Sequence, residues 1–155
     1  SNGLKIHVSV VQFHFWTYTI IFYMNINLIN LLSKLKNASF SKHEQISVDY
    51  NKLCLGVVGL LYKEGFIQSF SVKCVFKGLN SKLKIFITLR YFNNKSVFKN
   101  LKIVSTPSRV NFLNAKDLSK ISNKKLVLFL STSKGLLTSL ECKKKNIGGK
   151  LLFTL

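Results

Sequence analysis

The chain has 155 residues, 47% of them hydrophobic, with eight Gly and one Pro; that is enough apolar side chain for a core and too little Gly and Pro for a disordered polymer. Lys and Arg number 24 against five acids, a formal net charge of +19, an excess that opposes compaction and points to a polyanionic partner. The acids Glu44, Asp49, Glu64, Asp117 and Glu141 are scattered, and neither the three His nor the three Cys have the short paired spacing of zinc ligands, so the sequence excludes paired-carboxylate or metal-assisted catalysis and no cofactor is expected.

Residues 1–23 form an apolar extension with one charged side chain, Lys5, and an aromatic run that includes Phe13, Phe15, Trp16, Tyr18, Phe22 and Tyr23. It is long enough to cross a bilayer, but Gln12 and His14 interrupt it, and its β-branched and aromatic content suits a segment docked on protein or RNA as well as a span or a tail. Met24, the one Met, marks the start of the body, which carries +18 of the +19. From Asn25 to Asn37, Leu28, Leu31, Leu32 and Leu35 recur at helical spacing, with Lys34 and Lys36 in the last turn where cations favour the helix dipole. Glu44 to Tyr50 alternates as a strand with Ile46 and Val48 inward. Asp49 or Asn51 then caps a helix to Glu64 with Leu53, Val57, Leu60 and Leu61 as its stripe and Gly65 as its stop.

Phe66 to Phe76 and Lys82 to Phe92 are expected to be strands around a turn over 77–81, with Leu83, Ile85, Ile87, Leu89 and Tyr91 on one face. Asn93 and Asn94 turn the chain into a further strand over about Val97 to Val104. After Pro107 the pieces shorten: a strand near Arg109 to Leu113, a helical turn at Ala115 to Lys120, an apolar run from Leu126 to Leu130, and a polar turn from Ser131 to Gly135. Thr138 caps a short helix to Asn146, Gly148 and Gly149 end it, and Lys150 to Leu155 is the last strand. The fold class is α+β in two small domains. A helix-strand-helix-strand-strand unit occupies 24–95, and a β-rich domain with a short helix occupies 96–155.

The three cysteines read as small buried apolar residues in a reducing compartment. Positive charge is almost all Lys, with Arg only at positions 90 and 109, and Ala occurs only at 38 and 115. That bias fits A+T-rich codons and a genome such as an organelle's. The most site-like stretch is Ser131-Thr132-Ser133-Lys134-Gly135, in which hydroxyls, an ammonium and a glycine follow a buried strand. Such a loop suits close approach to phosphates and sugar hydroxyls, and equally an ordinary polar turn.

The order of these motifs resembles the bacterial-type small-subunit ribosomal protein eight family, in an organellar and diverged form. The strings that carry the likeness are Leu32-Ser33-Lys34-Leu35-Lys36-Asn37-Ala38, Tyr62-Lys63-Glu64-Gly65-Phe66-Ile67, Leu89-Arg90-Tyr91-Phe92, Leu130-Ser131-Thr132-Ser133-Lys134-Gly135 and Ile147-Gly148-Gly149, in the family's order across residues 24–155. The resemblance implies two domains that together clasp an irregular hairpin stem of the small-subunit rRNA central domain, beside neighbouring small-subunit proteins and not as a free homo-oligomer. It implies RNA contacts at Ser131, Thr132, Ser133, Lys134 and Gly135, at Lys34, Lys36 and Asn37 of the first helix, at Lys52, and at Ser105, Pro107 and Arg109. Thr106 and Ser108 stand where the family usually has Arg and Gly, Lys150 stands in place of Glu, and residues 1–23 fall outside the likeness. The expected function is a structural, non-catalytic component of a mitochondrial small ribosomal subunit, with a plastid as the alternative compartment. A membrane-anchored basic protein tethering RNA or lipid is the competing class.

Overall fold

The computed structural model describes residues 26–155 except 78–79, 94, 107 and 122–125. The expected extension over 1–23 and Pro107 therefore lie outside the described residues. Helix α1 covers 26–40, and Leu28, Leu31, Leu32 and Leu35 are all buried, as the leucine spacing requires. Lys42, in the left-handed conformation at φ 54°, turns the chain into strand β1 (Gln45–Asp49). Helix α2 (Lys52–Lys63) starts where the Asn51 side chain accepts from the Leu53 N–H at 3.0 Å. It ends at Gly65, whose φ of 77° few other residues tolerate.

Strands β2 (Ile67–Lys77) and β3 (Asn80–Leu89) follow, and the first sheet has the order β1-β3-β2, all antiparallel. The register runs through to Lys77 opposite Asn80, so the connection is tighter than the five-residue turn expected. Both helices lie on one face of this sheet, burying Val48, Ile85, Ile87 and Leu89. The hairpin outruns that cover: Leu83, placed on the buried face by alternation, is 50% exposed, and Cys74 opposite it is exposed as well. Only Cys54 and Cys142 are buried, which corrects the expectation for the third thiol.

β4 (Tyr91–Phe92) pairs with β5 (Lys95–Ser96). The strand expected over Val97 to Val104 is not formed. Ser96 Oγ accepts from the Phe98 N–H at 3.2 Å and starts a 3-10 turn, Val97–Asn100, because Phe98 and Leu101, three apart, both go into the core. Only β6 (Lys102–Ile103) remains as strand.

The second sheet contains β7 (Asn111–Leu113), β8 (Leu128–Thr132), β9 (Gly135–Thr138) and β10 (Gly149–Thr154). Its order is β6-β10-β8-β9, with β7 also on β10. Helices α3 (Ala115–Ile121) and α4 (Ser139–Lys145) cover one side. Strand β9 stands between the polar turn and α4, where the sequence reading ran straight from turn to helix. Asn146, at φ 52°, and not the Gly pair ends α4.

β8 presents Phe129 to the larger core and Leu128 and Leu130 to a smaller one with Leu118, Leu137, Cys142 and Leu151. A bulge in β10 between Leu151 and Phe153 turns Leu152 and Phe153 to the larger core as well. There Phe153 stacks on Phe129 at 4.4 Å between centroids, and Phe66 meets Phe129 edge-on at 6.0 Å. One apolar cluster thus joins α1, α2 and the first sheet to the second. Among the described residues no helix is long and apolar enough to cross a membrane.

Candidate nucleic-acid interface

The polar stretch from 131 to 135 is the closed end of the β8–β9 hairpin. Ser131 pairs with Leu136 and Thr132 with Gly135, leaving Ser133 and Lys134 at the tip, both exposed. Thr132 folds the tip from within: its Oγ1 donates to the Gly135 carbonyl at 2.9 Å and accepts from the Lys134 N–H at 3.2 Å. Gly135 has φ 99° with open space where a Cβ would stand, so it is needed for the turn and leaves room for a ligand's close approach.

The Gly148-Gly149 pair makes the tip part of a larger surface. A Cβ on Gly149 would lie 2.6 Å from the Ser131 carbonyl oxygen, and one on Gly148 would lie 2.6 Å from that of Leu113. The start of β10 therefore slides between β8 and β7. This sets Lys150 opposite Ser131 on one side and opposite Phe112 on the other. Phe112 is 73% exposed, an aromatic face beside a lysine and a hydroxyl-rich tip.

Lys52 comes to the same end. Gly56 lets α2 touch β9, its Cβ position being 2.8 Å from Leu136 Cδ1, while further along Lys63 Nζ pairs with Glu141 of α4. The two contacts fix α2 alongside β9 and α4 in the same direction, so the tip residues before Leu136 lie toward the start of α2. Lys52 is one turn before Gly56 on that face. The first turn of α2 holds no acid, and a cation there is opposed by the helix dipole, so Lys52 does nothing for α2 and suits an anion brought to it.

Other expected residues divide. Lys34 and Asn37 are exposed on one face of α1, in a groove of about 220 Å³ with Asn30 and Asp49. Lys36 is turned inward and its ammonium donates to the Leu101 carbonyl at 3.3 Å, tethering α1 to the segment that leads into the second sheet. Ser105 is buried; its hydroxyl donates to the Leu151 carbonyl and accepts from the Asn111 N–H at 3.2 Å, so it holds the sheet together and has no free side chain for a ligand. Arg109 is exposed at a reversal in which Thr106 and Arg109 bond each other's backbone at 2.9 and 3.2 Å. Sequence reasoning missed Phe112, whose signal was an aromatic at the outward position of a short strand, and treated Lys150 only as a departure from a pattern.

Among the described residues no cluster of His, Cys, Asp or Glu could hold a metal ion. The titratable groups that are shifted have structural causes. Glu141 is held below the usual carboxylate range, first by the Lys63 ammonium and also by the Thr138 N–H, which donates to its Oε2 at 3.3 Å. Burial pushes the Cys54 thiol up to about 11.

The family model for ribosomal protein S8 matches residues 27–155. The chain belongs to the ribosomal protein S8 family. It is 39% identical over 127 residues to the small ribosomal subunit protein uS8m of Acanthamoeba castellanii, covering 81% of this chain and 94% of that one. It is 34% identical over 133 residues to uS8c of Bigelowiella natans, covering 85% and 99%, and 31% identical over 125 residues to uS8 of Mycoplasmopsis pulmonis, covering 81% and 92%. Members of this family are structural, non-enzymatic components of the ribosome.

Proposed function

We propose that this chain is a structural component of a mitochondrial small ribosomal subunit that binds an irregular hairpin stem of the small-subunit rRNA central domain and supports platform assembly and translation. The observation that carries the reading is the convergence of the Ser133–Lys134 tip, Lys150, Phe112 and Lys52 on one end of the second sheet. Hydroxyls suited to sugars and base edges stand there beside cations suited to phosphates, which is how structured RNA is gripped by shape. Residues 24–95 form the N-terminal domain in this reading and 96–155 the main RNA-reading domain, with Lys34 and Asn37 adding contacts from the first. Higher identity to uS8m than to uS8c supports the mitochondrion over the plastid, and the Lys-rich, Arg-poor composition fits an organelle genome of either kind.

The test is a salt titration of the full chain on a central-domain hairpin and on a regular duplex of equal length. The hairpin is expected to win by about 4 kcal/mol or more, the low end of specific margins in protein–DNA complexes. Ser133→Ala should weaken the hairpin more than the duplex, whereas Lys34→Ala should weaken both and flatten the salt slope by about one. Equal affinity for both RNAs would reduce the chain to a polycation and refute the reading.

A further inference from the structure

The outward face of the first sheet carries side chains that stem binding does not use. α1 and α2 occupy the other face, where Ile85 and Ile87 are buried, so alternation turns Lys84 and Phe86 of the central strand to the outward side, where both are half-buried. Phe86 is flanked in register by Ser47 on β1 and Ser71 on β2, neither large enough to cover a ring. One rung further, Lys84 has Lys73 directly opposite on β2 and Asp49 on β1, and Lys82 follows beyond it. Lys73 and Lys82 are exposed.

The fold satisfies both rungs only in part: Asp49 stands opposite one of the two paired lysines, and Phe86 keeps part of its ring uncovered. Like charges directly opposite one another destabilise a strand pair, and a half-buried phenylalanine leaves part of its apolar surface in water. A polyanion with flat rings satisfies both, since its phosphates neutralise the lysine rung while a base stacks on the aromatic rung about 7 Å along the strand. The geometry already holds the stack's position: Lys73 Nζ lies 5.7 Å from the Phe86 ring centroid, a cation on the ring face. A stacked base takes that place and sends the ammonium to its own phosphate.

We infer that the outward face of the β1-β3-β2 sheet is a second RNA contact, for a single-stranded segment. It is a different surface and a different form of RNA from the stem reading. A protein partner is the alternative occupant, but it would have to meet a cationic rung and a partly exposed ring bracketed by serines.

The test is binding of the full chain to a fluorescent uridine octamer, by anisotropy across salt concentrations, beside the irregular stem. Phe86→Thr, which keeps a strand-forming residue, is expected to weaken the octamer fivefold or more and to leave the stem within about twofold. Lys73→Ser with Lys84→Thr, which also removes the like-charge rung and so does not threaten folding, should weaken the octamer and lower its salt slope by about 1.4, from two lost phosphate contacts on a single strand. The inference is overturned if the octamer is not bound, if Phe86→Thr binds it as the parent does, or if Ser133→Ala weakens octamer and stem equally. Octamer binding that depends on Phe86 without stem binding would sustain this inference while the stem reading fell.

Discussion

Gly149→Ala tests whether the hairpin tip is placed by the close passage of β10. The added methyl would stand 2.6 Å from the Ser131 carbonyl oxygen, 2.8 Å from Thr132 Cγ2 and 3.2 Å from the Ser131 carbonyl carbon. Two of these are backbone atoms of a strand paired on both sides, so they cannot rotate away as a side chain end would. Overpacking of this kind costs about 1–3 kcal/mol. At about 2 kcal/mol, with a urea slope near 2 kcal/mol/M, the midpoint falls by about 1 M. Gly59→Ala is the matched control. It lies mid-way along α2 with nothing within 4 Å of its Cβ position, so the same substitution should stabilise by about 0.5–1 kcal/mol through helix propensity. The assay is urea denaturation of both variants followed by circular dichroism, then binding to the hairpin stem. Because relief of the Gly149→Ala clash must move Ser131 and Thr132, affinity for the stem should fall even where the protein is fully folded. Gly149→Ala as stable as the parent, with unchanged stem affinity, would refute the argument.

Ser105→Ala leaves the Leu151 carbonyl and the Asn111 N–H without their internal partner, and is expected to cost about 1–3 kcal/mol in thermal or urea unfolding; unaltered stability with lost RNA binding would show that the hydroxyl serves the ligand instead. Glu141 has a lowered pKa in the folded chain, so its contribution is full above the ordinary glutamate value of about 4.3 and is lost as pH falls from there through the lower value of the folded state. The stability gap between the parent and Glu141→Gln should accordingly close on acidification in a series of urea titrations, and a gap that widened would invert the assignment. Thiol labelling should modify Cys74 alone in the native chain and all three cysteines in denaturant; fast native labelling of Cys54 or Cys142 would contradict their burial.

Where one face of an element alone decides its conformation, the sequence was enough. The four leucines of α1 and the Asn51 and Gly65 ends of α2 were legible because a stripe and a cap are local signals. The 3-10 turn at Val97–Asn100 was not, since Val97, Phe98 and Val104 have strand propensity and only the burial of Phe98 with Leu101 overrides it. Strand β9 escaped because Gly135–Thr138 is four residues long, too short to show alternation, and draws its strand character from pairing with β8. Leu83 was placed with the inward residues by alternation and Cys74 was read as buried because free cysteines usually are, but the helices do not reach that end of the strands. In the site, the tip residues came from motif order, whereas the meeting of Lys52, Lys150 and Phe112 needed the Gly56, Gly148 and Gly149 contacts. Pattern alone also could not tell that Lys36 and Ser105 point inward.

β8 and β10 each send side chains to both apolar clusters, and this ties the mechanical behaviour of the two halves together. Opening the second sheet strips Phe129, Leu152 and Phe153 from the cluster they share with α1 and α2, so the two halves are expected to melt together in one cooperative transition. A ligand held at the β8–β9 tip then raises the free energy of every opening that passes through that shared wall. In the proposed complex, amides of α1, which lies in the other half, are expected to gain protection from solvent exchange, and a chain divided at 95/96 to forfeit that inheritance along with the shared part of its core.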